Sequence, residues 1–152
     1  MPPPINRLNL RICPADPARA DAEALLDRWT DAGIGRDNLV EGGVLRIRAV
    51  QMPGTTFLSC GQGGFRTLCP NEGRPILEFS RVLTAWRAGG PRELFCGCGQ
   101  VHDLQDLCFV PSAAFARSWI EAVGADTDRL HPDALPLAEA AWGGARFVAH
   151  RG

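Results

Sequence analysis

The chain has 152 residues, 45% apolar and 22% charged, with a formal net charge of −1. That length is enough to bury a real core, and the near-neutral charge excludes a global field drawing in nucleic acid or an anionic membrane. All 16 cationic side chains are arginine, which excludes a P-loop lysine on nucleotide phosphate and a Schiff-base lysine. The arginines spread along the whole chain among offsetting acids, as a coding bias against lysine would place them. No apolar run reaches the roughly 18 residues of a membrane span, and Met1-Pro2-Pro3-Pro4 opens no signal-peptide core. A cytoplasmic location with no membrane partner is expected. Six cysteines in a reducing compartment point to metal or redox chemistry rather than a disulfide framework.

Leu8-Asn9-Leu10-Arg11-Ile12 alternates apolar and polar as a half-buried strand does. Asp16 and Pro17 suit a helix start, and Ala18, Ala22, Leu25, Leu26 and Trp29 share one helical face up to Gly33. Val44 to Val50 reads as a second strand. Phe57-Leu58-Ser59 and Phe65-Arg66-Thr67-Leu68 read as a hairpin turning at Gly61-Gln62-Gly63-Gly64, with Cys60 and Cys69 at its ends. A helix is predicted from Pro75 to residue 88, with Ile76, Phe79, Val82, Leu83 and Trp86 as its apolar stripe and Gly89-Gly90-Pro91 as its stop. Leu104 to Val110 reads as a strand. Pro111-Ser112 opens a predicted helix bearing Phe115, Trp119, Ile120 and Val123, closed by Gly124. A short helix follows over Ala134 to Trp142 with Asp133 as cap, then a strand over Ala145 to His150.

The expected class is α+β in one domain, 1–152: a strand–helix–strand unit at 1–55, a cysteine-bearing insert at 56–103, and a strand–helix–helix–strand unit at 104–152. The two outer units echo each other and pair into a small mixed sheet, a ferredoxin-like split β-α-β arrangement.

The chemistry centres on Cys96-Gly97-Cys98-Gly99, two thiols one residue apart, downstream of Cys60 and Cys69. A structural zinc takes about four soft ligands in a tetrahedron, commonly from two hairpin turns. The turn matters because its backbone N–H groups point at the thiolates and spread their charge. Cys69-Pro70-Asn71-Glu72-Gly73 resembles the first knuckle of a zinc ribbon, Cys-Pro-x-Cys-Gly, with Glu72 where the second cysteine belongs. Cys96-Gly97-Cys98-Gly99 resembles the second knuckle, shortened by one residue. The resemblance covers residues 56–103 and implies a zinc knuckle in a small protein of bacterial type. It implies Cys69, Cys96 and Cys98 as ligands, with Cys60, Glu72 or His102 as the fourth. Cys60 is the best chemical match, Glu72 holds the expected position but is a harder ligand, and His102 lies four residues beyond Cys98.

Other chemistry is weaker. A Cys96–Cys98 exchange pair with His102 lowering a thiol pKa is the redox alternative, and His102, Asp103 and Asp106 beside thiols sketch a hydrolytic arrangement. HExxH, GxSxG and EF-hand loops are absent from the sequence. Cys13 and Cys108 read as buried small hydrophobes, and His131 and His150 as capping or solvated residues. Trp86, Arg74, Arg81, Arg87 and Arg92 make a locally basic patch that suits nucleic-acid phosphate. The expected function is therefore a non-enzymatic, zinc-stabilised binding or adaptor protein. Its expected partner is a protein, with nucleic acid as the second class; the alternative is a thiol redox protein or a metal- or thiol-dependent enzyme.

Overall fold

A computed structural model describes residues 7–59 and 65–151. Its larger unit is a four-stranded sheet in which the outer segments pair as the echo suggested. The strands are β1 (Leu8–Pro14), β2 (Arg46–Leu58), β7 (Ala114–Ala125) and β8 (Ala145–Arg151), in the order β2-β7-β1-β8. Helix α1 (Ala22–Asp31) lies between β1 and β2 in the chain, and α3 (Ala134–Trp142) between β7 and β8. This is the β-α-β-β-α-β topology of the split β-α-β fold. All three pairings are antiparallel, so the sheet is not mixed.

Both helices pack on one sheet face. Leu8, Leu10 and Ile12 of β1 and Ile120 and Ala122 of β7 form a core with Leu25 and Trp29 of α1 and Ala134, Ala138 and Trp142 of α3. Alternation along a strand places these residues on one side. Fully buried Trp29 ties the helices together by donating from Nε1 to the Ala134 carbonyl at 3.1 Å. The start of α1 is fixed by Ala22 N–H donating to Ser118 Oγ at 3.2 Å. α1 begins later than the Asp16-Pro17 signal implied, because Asp16 makes a local turn by accepting from Ala18 N–H at 3.0 Å.

The largest departure is β7. The segment expected to form a helix after Ser112 is a strand, buried over nearly its whole length on both faces. Phe115, Trp119, Ile120 and Val123 satisfy a helical spacing only because a strand covered on both sides carries apolar residues without alternation. Leu104 to Val110 is not one strand but a 3-10 turn (Leu104–Asp106) followed by β6 (Cys108–Val110). The second outer unit is therefore strand–helix–strand over 114–151, and the insert runs from 59 to 113.

The insert holds β3 (Arg66–Leu68), α2 (Phe79–Arg87), β4 (Glu93–Phe95), β5 (Val101–Asp103), the 3-10 turn and β6. β3 pairs with β6, so residues 65–68 do not form the hairpin expected with 57–59; the proposed turn at 61–64 lies outside the described residues. α2 starts one turn after Pro75, because Ile76 N–H donates to the Thr67 carbonyl at 2.8 Å and keeps that stretch extended. Its apolar stripe is as expected: Phe79 and Leu83 are buried, with Ile76, Val82 and Trp86 packed alongside. Phe57 of β2 joins sheet to insert, its ring lying 5.0 to 5.6 Å from those of Phe115, Phe79, Phe109 and Phe65.

Candidate metal centre

Two tight turns present the ligands. In the first, Cys69 N–H donates to the Arg74 carbonyl and Gly73 N–H returns to the Cys69 carbonyl, both at 2.8 Å. Gly73 has φ +69°, a left-handed conformation that glycine adopts without a Cβ penalty. In the second, β4 and β5 form a hairpin whose ends are joined by Cys96 N–H donating to the Gln100 carbonyl at 2.9 Å. Within it, Gly99 N–H donates to the Cys96 carbonyl at 3.0 Å with Gly99 at φ +88°. Both the Cys69 and the Cys96 segments are thus tight turns.

The hairpin register decides where His102 points. Leu94 faces His102 and Phe95 faces Val101 across the ladder. Opposed residues share a face, so buried Leu94 carries His102 inward, while Phe95 and Val101 are exposed. The result is a four-ligand cluster: the sulfurs of Cys69, Cys96 and Cys98 and an imidazole nitrogen of His102 all lie within 4.8 Å of one another. His102 Nε2 is 3.6 Å from Cys69 Sγ and 3.3 Å from Cys98 Sγ. Cys69, Cys96 and His102 are buried and Cys98 is half-buried. This arrangement is close enough to hold a metal ion.

The electrostatics suit a thiolate site. Burial pushes the Cys69 thiol up, but the backbone N–H groups of Glu72 and Asn71 and the thiols of Cys96 and Cys98 outweigh it. The net result brings Cys69 down from 9.0 to about 6. The Cys98 backbone N–H pulls Cys96 down, yet burial and the neighbouring thiols leave it raised. Cys69 and Cys96 are thus pushed in opposite directions, as neighbouring thiols are when like charges disfavour each other.

Of the candidate fourth ligands, His102 joins the cluster. Glu72 instead pairs with Arg74 at 2.9 Å. Cys60 lies outside the described residues. The signal for His102 was its spacing from Cys98; the inward turn of its side chain depends on a hairpin register that the sequence alone leaves open.

The other singled-out residues lie elsewhere. Cys13 is buried as expected, its thiol pushed up to about 12 by burial, against the pull of Arg11 and Arg146. Cys108 is exposed, contrary to expectation, because β6 is a short strand that turns its cysteine to solvent. His131 lies in the turn ahead of α3, its Nδ1 accepting from Asp133 N–H at 3.1 Å. The basic patch is largely self-neutralised: Arg81 pairs with Glu78, Arg92 with Asp103 and Arg74 with Glu72. Trp86 packs edge-on against Phe115 rather than facing solvent. Asp103 caps the 3-10 turn by accepting from Gln105 N–H at 2.9 Å and takes no place in the cluster. Among the described residues, no helix is long and apolar enough to cross a membrane. No family model, curated protein or solved structure matches the chain.

Proposed function

We propose that Cys69, Cys96, Cys98 and His102 hold a structural zinc ion that orders the insert, and that the protein is a non-enzymatic binding module. The observation that carries this is the convergence of three sulfurs and one imidazole nitrogen. Zn–S bonds of about 2.3 Å and a Zn–N bond of about 2.0 Å at tetrahedral angles put sulfur and nitrogen about 3.5 Å apart. The observed separations of 3.6 and 3.3 Å bracket that value. Soft thiolates with one imidazole favour zinc over calcium or magnesium, which take oxygen ligands. Four protein ligands close the coordination sphere, which supports a structural rather than a catalytic role. The third thiol and the histidine distinguish this site from a two-thiol exchange pair.

The ordered surface has an apolar character that suits a protein partner. Leu77 is 92% and Phe95 71% exposed, and both line a cleft of about 420 Å³ beside Cys96 and Gly97. Metal analysis of protein purified without added zinc tests the reading: about one zinc per chain is expected, and Cys98→Ser should lose it. Metal-free protein with an oxidised Cys96–Cys98 pair would favour the redox alternative.

A further inference from the structure

We infer that residues 74–77, on the open side of β3, take up a short, uncharged, extended peptide segment of a partner protein as an added strand. The inference rests on the protein-binding reading above and names the chemistry of the partner. Residues 74–76 already form a strand edge. The Arg74 carbonyl accepts from Cys69 N–H and Ile76 N–H donates to the Thr67 carbonyl, both at 2.8 Å, and Pro75 makes an antiparallel bridge with Leu68. These bonds add a rung beside the β3–β6 ladder.

The outer side of that edge is unfilled. The peptide unit joining Pro75 to Ile76 is trans, so its N–H and C=O point in opposite directions. Ile76 N–H points at β3, and the Pro75 carbonyl therefore points away from it. Two residues on, Leu77 N–H donates to no group among the described residues. An antiparallel neighbour needs one acceptor and one donor flanking a residue on the edge it joins. The Pro75 carbonyl and Leu77 N–H, flanking Ile76, are such a pair, and main-chain bonds of this kind give affinity in strand addition.

Area and charge select the occupant. Leu77 and Phe95 line the cleft that Pro75 and Ile76 also border, and Val101 stands beside Phe95 across the β4–β5 hairpin. At 92%, 71% and 59% exposure, these three side chains offer roughly 400 Å² of apolar surface, the size of a functional patch on a monomer. A stable dimer buries about 800 Å² per partner, so a second copy of this chain is the poorer occupant and a segment of a few residues the better one. The two charged residues lining the cleft are already paired, Arg74 with Glu72 and Glu78 with Arg81, so a charged peptide gains no counter-charge there. An extended peptide presents alternate side chains to one face, and apolar ones at that spacing cover Leu77 and Phe95.

The test is an NMR titration of the isotope-labelled full chain, its zinc content measured on the same sample, with an end-blocked peptide of about eight residues in which leucine and serine alternate. The Leu77 amide should move downfield and saturate as it gains a hydrogen bond. Methylating the peptide nitrogens at one or the other set of alternate residues gives two further probes. One of them should bind about 3- to 10-fold more weakly than the other, because only one set faces the Pro75 carbonyl. Leu77→Asp should weaken binding about 10-fold or more, while Met52→Ser, at an exposed apolar position on β2, leaves it unchanged. Circular dichroism checks that both variants are folded. The inference is overturned by no saturable shift up to about 1 mM peptide, or by shifts that leave the Leu77 amide in place. It is also overturned if both methylated peptides bind as tightly as the parent, which would leave a protein-binding surface but no added strand. A saturable Leu77 shift in protein that carries no zinc would remove the metal reading and keep the strand.

Discussion

Cys98→Ser is the variant that best separates metal binding from packing. Cys98 is the half-buried member of the cluster, so changing sulfur to oxygen removes a ligand while disturbing little of the aromatic core around Phe79 and Phe109. A metal present at about a thousand times its Kd adds about 4 kcal/mol to folding stability. For a chain of this size that corresponds to a Tm shift of about 8 to 16 °C. The assay is a thermal melt with and without a zinc chelator. Chelator should lower the wild-type midpoint by that amount, and Cys98→Ser should start near the lowered midpoint and ignore chelator. Hydrogen exchange should place the change in β4 and β5, the hairpin that carries three ligands, and leave β1 and β7 protected. A wild-type midpoint indifferent to chelator, in protein that carries no zinc, would refute the argument.

Phe57→Ala should cost about 3 kcal/mol in urea denaturation, because the ring contacts four others across the junction of sheet and insert; a loss below about 1 kcal/mol would show that the junction does not depend on it. Gly124→Ala should cost about 1 to 2 kcal/mol, since Gly124 has φ +83° and a Cβ there would lie 2.6 Å from Leu45 Cγ; an unchanged urea midpoint would contradict this. Cys13 and Cys108 should differ in reactivity at pH 8: mass spectrometry should find Cys108 alkylated in the native protein and Cys13 untouched. Because Cys13 is raised from 9.0 to about 12 on folding, its contribution to stability is full below pH 9 and lost as pH rises towards 12; equal labelling of the two thiols would contradict the burial that causes the shift.

The sequence was most legible where one face of an element meets solvent. Leu8–Ile12 and the stripe on α1 show their periods because polar residues mark the exposed side, while the nearly all-apolar helix Ala134–Trp142 was signalled by Asp133 at its start. Burial on both faces removed that marker from β7, and Phe115, Trp119, Ile120 and Val123 after Pro111-Ser112 then matched a helical face. Three of the four clustered ligands were legible from the knuckle turns, where glycine and cysteine spacing is set by local backbone geometry. His102 was one of three candidates for the fourth, because its inward orientation comes from cross-strand register with Leu94, a relation between segments.

Leu58 and Ala114 are partners on the β2–β7 ladder, so the chain leaves the sheet and rejoins it at a single rung. Topologically, all of 59–113 is the loop of a β-hairpin. Closing a longer loop costs only about 0.6 kcal/mol per doubling of its length, so the sheet tolerates this excursion almost as it would a short turn. A metal held between Cys69 and the 96–102 hairpin would subdivide that loop without constraining the rung where it begins. Sheet and insert can therefore melt as separate steps, and on the proposed metal site loss of the ion would release the loop while the four strands kept their register.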